Sequence, residues 1–375
     1  MNLFEARAEV LQANRRSLAE RLHIDTPLLL CLLTLAAISL FVLYSASGQK
    51  IDVIWRQSLR LGVGFMIMLI LAQFNPASLK RWTPWLFTLG IGLLLAVLFF
   101  GETGKGAQRW LDLGAFRFQP SEMLKLAVPM MVAWYLSDHP LPPNLQRLAI
   151  AGLIIIVPTL LIAKQPDLGT ALLVAGAGVF VLLFAGISWR LVFASTAALA
   201  ACGPVLWHFM HDYQRQRVLT FLNPEHDPLG AGYHIIQSKI AIGSGGLYGK
   251  GWLNGTQSQL NFLPERSTDF IFSAYAEEFG LFGILALLTV YLLIIMRGLL
   301  MASQAQDSFS RLLAGSLVMT FFIYLFVNIG MVTGLLPVVG VPLPLVSYGG
   351  TSMVTLMAGF GILMSIHTHR KLLPR

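Results

Sequence analysis

The sequence predicts an all-α polytopic membrane protein with about ten transmembrane helices. Hydrophobic residues make up 56% of the 375 residues and charged residues only 12%, against about 25% charged in an average soluble domain. Apolar stretches long enough to cross a bilayer recur along the whole chain, and short loops with glycine, proline and charged residues separate them. A soluble domain of this length would have no use for so much apolar surface.

The predicted spans are, in chain order, 27–45, 61–74, 85–100, 119–136, 148–163, 169–187, 191–210, 269–296, 312–332 and 350–367. The second of them is short for a hydrocarbon core of about 30 Å. No interval between spans is long enough to fold alone, and 1–375 is therefore predicted to be a single membrane domain. The longest polar interval, 211–268, is predicted to be one long extracytoplasmic loop.

Both termini are predicted to be cytoplasmic. An even number of spans puts them on one side of the membrane, and the four arginines before the first span favour the cytoplasm. The first span is interpreted as a signal anchor, since further spans follow it. Lysine and arginine are almost as frequent in the predicted outer loops as in the inner ones. The net charge of +8 therefore indicates an anionic lipid or lipid-linked substrate rather than nucleic acid.

Ionisable side chains inside or beside the spans are the main candidates for function, because burying a charge in a bilayer costs about 3 kcal/mol. Glu122 and Lys125 are three residues apart and share a helix face. They either neutralise each other, which lets the helix insert, or line a cavity that opens outward. Pro120 suits the first turn of that helix, where its missing N–H is not needed.

Asp167 lies in a very short turn between two predicted spans, followed by Gly169 and Thr170. Aspartate is a favoured N-cap residue, and a structural role as the cap of the next helix is one interpretation. The other is that the carboxylate lines the same outward-facing cavity as Glu122. The two roles are compatible.

The stretch 263–280 is the richest in acidic side chains. A Ser-Thr pair before Asp269 is expected to cap a helix whose first turn contains Asp269. Glu277 lies eight residues further on, about 12 Å deeper along the helix, and Glu278 points to nearly the opposite side. Capping explains Asp269 alone, and three acids in one span therefore favour a functional interpretation.

Two other motifs are interpreted without a functional role. The glycine-rich run Gly243–Gly251 resembles a phosphate-binding loop, but it has Ser244 and Gly251 where the Walker pattern requires glycine and a hydroxyl residue. His367 and His369 are interpreted as part of a solvated tail rather than as a metal site.

Several long motifs follow one another over almost the full chain. They are Arg109–Trp110, Phe118–Glu122, Gln165–Thr170, Gly232–Lys239, Gly251–Gln259, Leu263–Glu265, Thr268–Phe272 and Gly340–Ser352. Together they resemble the SEDS family (shape, elongation, division and sporulation), and the run Ser238–Gly246 and the compact length are similar to its elongation branch. The resemblance implies a peptidoglycan glycosyltransferase of the bacterial cytoplasmic (inner) membrane. Such an enzyme polymerises glycan strands from lipid II at the outer face, for cell elongation and rod shape.

The resemblance also implies roles for individual residues. Asp269 matches the family's essential aspartate and is expected to be the catalytic general base. The residues that match the family's central cavity and its mouth are Glu122, Lys125, Asp167 and Arg109. The cations expected to bind the pyrophosphate of the substrate are Arg109, Lys125, Lys239 and Arg266. A divalent cation, Mg²⁺ or Mn²⁺, is a further expectation, and its candidate ligands are Asp269, Asp167 and Glu122.

The partners implied by the resemblance are a class B penicillin-binding transpeptidase and other membrane proteins of the elongation complex. Two alternative functions stay open at this stage. Many spans with intramembrane charges also suit a lipid II flippase, and a scaffold could recruit the transpeptidase without catalysis. The polar residues cluster at the outer ends of the spans rather than at the midplane, and no internal repeat is evident, which favours the polymerase.

Overall fold

The chain folds into a bundle of long helices. The computed structural model describes residues 22–104, 107–112, 117–210, 212–223, 231–260, 262 and 265–369. The helices are, in chain order, α1 (Thr26–Ala46), α2 (Ile51–Ala72), α3 (Pro76–Phe100), α4 (Pro120–Ser137), α5 (Leu145–Lys164), α6 (Leu168–Phe184), α7 (Trp189–Ala201), α8 (Gly203–Phe209), α9 (Asp212–Leu222), α10 (Ala231–Ser244), α11 (Thr256–Gln259), α12 (Ile271–Ser303), α13 (Ser308–Val332) and α14 (Thr351–Thr368).

Each predicted span coincides with helical structure, which confirms the all-α membrane fold. Within the described part of the chain, seven helices are long and apolar enough to cross a membrane, namely α1, α2, α3, α5, α12, α13 and α14. The count of ten is not confirmed. Helices α4 and α6 are outside that set, and the predicted seventh span is divided into α7 and α8.

Three predicted spans have incorrect limits. The second, 61–74, corresponds to α2, which begins ten residues earlier at Ile51. The prediction missed the first turns of α2 because Asp52 and Arg60 lower their hydropathy. Helix α2 is therefore long enough to cross a bilayer. The third, 85–100, is too short, because α3 begins at Pro76 and carries Lys80 and Arg81 in its first turns. The eighth predicted span ends at residue 296, but α12 continues past Arg297 because that charge is paired with Asp25.

Helices α2 and α14 lie in close backbone contact. A Cβ atom added to Gly361 would lie 2.5 Å from the carbonyl oxygen of Met68, and one added to Gly64 would lie 3.1 Å from Cγ of Met357. Small residues permit this approach where helices pack in a membrane without a hydrophobic driving force between them. The pair forms one wall of the groove described below.

The described ends of the chain meet at one end of the bundle. Nδ1 of His23 lies 3.1 Å from Oγ1 of Thr368, and the rings of His23 and His369 stack with centroids 3.9 Å apart. The two described ends therefore lie on the same side of the bundle, and the assignment of that side to the cytoplasm stays a prediction. The opposite end of the bundle is called the outer end below.

The prediction of a solvated histidine tail is wrong for its described residues. His367 is half-buried, and its Nε2 atom lies 3.5 Å from Oδ2 of Asp25, which also accepts a 2.5 Å hydrogen bond from Arg297. The other carboxylate oxygen of Asp25 accepts from the backbone N–H of Leu28 and caps α1. Burial disfavours the charge of Asp25, but the hydrogen bonds from Arg297 and Leu28 outweigh it and lower the pKa of this carboxyl.

The outer end has two features that the sequence did not predict. An antiparallel sheet of three short strands, β1 (Glu102–Gly104), β2 (Ala107–Asp112) and β3 (Arg117–Phe118), connects α3 to α4. The interval 211–268 contains the helices α9, α10 and α11 rather than a continuous loop. Helix α10 is held in place because Ile235 and Ala241 are buried and Ser238 bonds to Ser273 of α12 at 2.6 Å.

Candidate active site

A buried ion pair lies at the outer end of α4. Pro120 occupies the first turn, as predicted, and Nζ of Lys125 donates to Oε1 of Glu122 at 2.6 Å. The two side chains are only 4% and 8% exposed. The ammonium group also lies 5.1 Å from the ring centroid of Tyr324, which adds a cation–π contact. The pair therefore neutralises itself inside the bundle, and it also lines cavities there.

Asp167 combines both roles considered for it. Its Oδ1 atom accepts from the N–H of Thr170 at 3.2 Å and caps α6. Its Oδ2 atom accepts from Nε2 of Gln119 at 3.1 Å and lies 3.9 Å from Nε of Arg109. Arg109 is fixed further by a hydrogen bond to the carbonyl oxygen of Pro166. Strand β2, the start of α4 and the start of α6 thus meet in one charged cluster.

Asp269 lies immediately before α12, and the expectation that it falls in the first turn is wrong. The N-cap residue is Phe270, which provides no side-chain cap, and the hydroxyl groups before Asp269 bond elsewhere. The carbonyl oxygen of Asp269 accepts from Nδ2 of Asn328 at 2.9 Å, and the same amide donates to the carbonyl oxygen of Val341 at 2.8 Å. Asn328 is fully buried in α13. It therefore fixes the backbone of Asp269 to the segment that precedes α14.

Further bonds hold the backbone around Asp269. Oγ of Ser347 donates to the carbonyl oxygen of Thr268 at 2.6 Å and accepts from the N–H of Leu343 at 2.8 Å. The N–H of Tyr348 donates to the carbonyl oxygen of Ser267 at 2.8 Å. These contacts place the hydroxyl-rich motif at 347–352 next to the acidic motif at 265–270, although the two motifs are far apart in sequence. The half-buried Asp269 side chain is held on a rigid support.

The short segment 339–341 approaches both Asp269 and the start of α6, which follows Asp167. A Cβ atom on Gly340, whose φ is +75°, would lie 3.5 Å from Oδ2 of Asp269. A Cβ atom on Gly169, two residues after Asp167, would lie 2.8 Å from the carbonyl oxygen of residue 339. Asp269 and the start of α6, where the charged cluster lies, therefore both border the segment 339–341.

Glu277 and Glu278 have structural partners, which the sequence did not reveal. Oε1 of Glu277 is fully buried and accepts from Nζ of Lys250 at 2.7 Å, from Oγ1 of Thr256 at 3.0 Å and from the N–H of Gln257 at 3.0 Å. Glu278 accepts from the hydroxyl of Ser45 in α1. Both acids hold outer segments against α12, and the functional interpretation is kept for Asp269 alone.

The glycine-rich run packs against a break in α12 and bonds to the backbone there. At Gly280 the backbone has φ +61° and ψ −161°, outside the helical region. The run supplies the missing bonds, since the N–H of Gly251 donates to the carbonyl oxygen of Glu278 at 3.0 Å and the N–H of Leu281 donates to that of Gly246 at 3.0 Å. A Cβ atom on Gly249 would lie 2.1 Å from the carbonyl oxygen of Glu278. Close backbone contact therefore explains these glycines.

The two remaining predicted cations lie at other places on the outer end. The Lys239 side chain is exposed and lies against the turn at Gly334. Arg266 lies next to Gly48, in the turn between α1 and α2, with one guanidinium nitrogen buried. Burial lowers the pKa of the Arg266 guanidinium. Their role in substrate binding stays a prediction.

Sequence reasoning missed four side chains of this region. Gln119 bonds to Asp167, Asn328 fixes Asp269, and the ring of Tyr324 covers Lys125. Arg60 lies with its guanidinium 4.4 Å from the ring centroid of Tyr348. Polar residues isolated inside apolar spans were the available signal for Asn328 and Tyr324. No signal in the sequence pairs Arg60 with Tyr348.

The carboxylates do not form a ready ligand set for a divalent cation. Within the described residues, no group of three or more histidine, cysteine, aspartate or glutamate side chains is arranged to hold a metal ion. Glu122 is already bound by Lys125, and Asp167 lies among Gln119 and Arg109. A metal at these carboxylates would have to compete with these cations and donors.

An apolar groove leads from the membrane to the charged cluster. A cavity of about 450 Å³ between α2, α4 and α14 has a mainly apolar surface and ends at Arg60, Gln119 and Glu122. A cavity of about 380 Å³ continues it along the face of α2 from Trp55 to Met66, and the two share side chains of α2. This continuous feature is called the first groove.

Fold and site together define a multi-pass membrane protein with a charged centre at its outer end and an apolar channel that reaches it. The chain belongs to the cell cycle protein family FTSW_RODA_SPOVE, which matches residues 25–372. It is 58% identical over 363 residues to the peptidoglycan glycosyltransferase MrdB of Escherichia coli strain K12, covering 96% of this chain and 98% of that protein. It is 34% identical to the peptidoglycan glycosyltransferase RodA of Treponema pallidum, covering 92% and 98%.

Solved structures support the same relationship. A chain from the study "Structural coordination of polymerization and crosslinking by a peptidoglycan synthase complex" superposes with a TM-score of 0.81 at 32% identity, over 93% of this chain and 98% of that one. The crystal structure of the rod shape determining protein RodA of Thermus thermophilus superposes with a TM-score of 0.71 at 28% identity, over 92% and 98%.

These comparisons confirm the prediction of a RodA-type peptidoglycan glycosyltransferase, and they confirm the multi-pass location in the bacterial inner membrane. The flippase alternative is not favoured, because the related proteins are named as glycosyltransferases. The roles of individual site residues are proposals, developed next.

Proposed function

We propose that the outer-end site polymerises glycan strands from lipid II at the outer face of the membrane. The observation that carries the proposal is the position of Asp269 beside the buried charged cluster, where the first groove ends. A polar reactant attached to a long hydrocarbon tail requires both a charged centre and a channel open to lipid. The activity for which the relatives are named supports the assignment.

The reaction joins two lipid-linked sugars. The 4-hydroxyl oxygen of the acceptor attacks the anomeric carbon of the donor, and a glycosidic bond forms while the bond from that carbon to the pyrophosphate oxygen breaks. Asp269 accepts the proton of the attacking hydroxyl as a general base. The polyprenyl pyrophosphate departs with the bonding electron pair.

Negative charge that develops on the leaving pyrophosphate is best stabilised by cations fixed in place before the reaction. Lys125 is held by Glu122 and by the Tyr324 ring. Arg109 is held at Asp167, and its buried Nε atom has no hydrogen-bond partner among the described residues. A pyrophosphate oxygen placed between β2 and α4 would satisfy that nitrogen.

The first groove fits the tail of one substrate. Its surface is mainly apolar, and the end of the groove that lies inside the protein carries Arg60 and Glu122. Burying hydrocarbon there removes it from the crowded polar headgroup layer and brings the pyrophosphate to the charged cluster. The path therefore delivers a lipid-linked sugar from the bilayer without moving its headgroup across the membrane.

A crosslinking enzyme is proposed as the partner. The structural relative with the TM-score of 0.81 belongs to a peptidoglycan synthase complex that coordinates polymerization and crosslinking. We assign the partner of this chain to the class B penicillin-binding transpeptidases, because a newly made strand must be crosslinked where it emerges.

The function is tested with purified protein and fluorescent lipid II in detergent. Asp269→Asn keeps the size of the side chain and removes the base, and the polymerisation rate should fall by about 10²-fold or more. Asp138→Asn is the matched control, since Asp138 is exposed at the inner end of the bundle, where it pairs with Lys80. The control should polymerise at the wild-type rate.

Two outcomes would overturn the proposal. A folded Asp269→Asn protein that polymerises at the wild-type rate would remove Asp269 from catalysis. A wild-type protein that makes no glycan in detergent, but moves lipid II across vesicle membranes, would establish the flippase instead.

A further inference from the structure

We propose that a second apolar groove holds the polyprenyl tail of the second lipid-linked substrate, so that both tails are bound while the sugars react. This inference rests on the proposed polymerase function, because only a polymerase needs two such substrates at once. The second groove lies between α6, α13 and the segment 339–341, none of which lines the first groove.

The second groove is a cavity of about 250 Å³ with an aliphatic lining, which includes Leu172, Leu173, Ile323, Val327 and Val341. Leu172 is 64% exposed at its edge, whereas Leu173 and Val341 are buried at its base. The described residues that line it are all uncharged. The chemistry of this lining therefore selects a hydrocarbon rather than a sugar or a phosphate.

The second groove lies at the level of the charged site. Gly169 lines it two residues after Asp167, near the start of α6, and Val341 lines it one residue after Gly340. The Cβ position of Gly340 is 3.5 Å from Oδ2 of Asp269. A tail in this groove would thus leave its headgroup beside the proposed base.

A cation also lies at this position. Arg109 donates to the carbonyl oxygen of Pro166, next to Asp167, and within the described part of the chain its buried Nε atom has no hydrogen-bond partner. Guanidinium groups bind phosphate oxygens with directional hydrogen bonds. The second groove therefore combines an apolar channel with an adjacent phosphate-binding group, as the first groove does with Arg60.

The proposal is tested by photo-crosslinking in the full-length protein. A benzoylphenylalanine replaces Val327 in the second groove, Val63 in the first groove, or Phe326, which is 56% exposed on the neighbouring position of α13. Fluorescent lipid II with an undecaprenyl tail is the probe, and unlabelled undecaprenyl phosphate is the competitor. Lipid II is expected to crosslink at positions 63 and 327, and the competitor should reduce both crosslinks. At position 326 lipid II should crosslink no more than a fluorescent bulk phospholipid does.

Filling the second groove gives an independent measurement. Val327→Trp should lower the polymerisation rate at low lipid II concentration by about tenfold, since each displaced methylene of the tail weakens binding by about fourfold. Phe326→Trp is the matched control and should polymerise like the wild type. Thermal unfolding of both variants shows whether Val327→Trp is folded.

The outcomes separate this inference from the proposed function. Equal crosslinking at positions 326 and 327, or a folded Val327→Trp variant with wild-type kinetics, would overturn the second groove while polymer formation still supported the polymerase. A wild-type protein that crosslinks at 63 and 327 but forms no glycan would overturn the polymerase, and with it the need for two bound substrates.

Discussion

The buried ion pair between Glu122 and Lys125 gives a quantitative test of how the charged cluster is held. The side chains are 8% and 4% exposed, and the donor and acceptor atoms are 2.6 Å apart. Removing one partner leaves an uncompensated charge in the bundle, which costs about 3–5 kcal/mol in measured cases. Lys125→Met and Glu122→Met should each lower the free energy of unfolding by that amount, which corresponds to a change of about 10²- to 10³·⁵-fold in the folding equilibrium.

The double variant separates stability from function. Replacing both partners by methionine, an unbranched side chain that adapts to irregular space, removes the desolvation cost of both charges. We expect its free energy of unfolding to be within about 1 kcal/mol of the wild type. We also expect it to be inactive with lipid II, because the cation that faces the developing pyrophosphate charge is gone.

The assay is equilibrium unfolding in detergent combined with polymerisation of fluorescent lipid II. Lys80→Met is the matched control, because Lys80 pairs with Asp138 at the same 2.6 Å but the side chains are 31% and 59% exposed. Lys80→Met should change the free energy of unfolding by less than about 1 kcal/mol. The reasoning is refuted if the single variants at 122 and 125 are as stable as this control, or if the double variant polymerises at the wild-type rate.

Three further predictions address the frame around the site. The Arg297 bonds lower the folded pKa of Asp25. The stability that these bonds contribute is therefore present above the unfolded pKa of about 3.9 and is lost as the pH falls through the folded pKa. Thermal unfolding of Asp25→Asn should lack this loss of stability in acid. Gly249→Ala should destabilise the protein by more than about 1 kcal/mol, since its φ is +79° and the Cβ atom would meet backbone, whereas Gly243→Ala, with open space around it, should unfold like the wild type. Asn328→Leu should reduce polymerisation more than lipid II binding, because the amide fixes the backbone of the proposed base; an unchanged maximal rate would contradict this.

Much of the fold was predictable from the sequence, because a bilayer imposes a length and a composition on every crossing segment. The limits of α2 were not, since Asp52 and Arg60 at its first turns are tolerated only through their position at the outer end. The break in α12 was not predicted either. A helix of suitable hydropathy gives no sign that Gly280 leaves the helical region, because the bonds that permit it come from the run 245–251.

The site was partly predictable for a similar reason. Charged residues in spans are costly, and this singled out Glu122, Lys125, Asp167 and Asp269 without any structure. The same rule included Glu277, which the fold uses to hold the segment around Lys250. Burial cost identifies which carboxylates need partners, but the partner determines whether the group anchors a loop or faces a substrate.

The sequence by itself determined that the chain crosses a membrane many times, which family its motifs resemble, and which side chains are too costly to be incidental. These properties depend on local composition and on short spacings along one helix. Only the tertiary structure decided that the segment 339–341 brings Asp269 and the start of α6 together, that Arg60 ends an apolar groove, and that a second groove opens beside Val327. Such relationships join residues far apart in the chain, and helix packing sets them rather than any pattern within a single span.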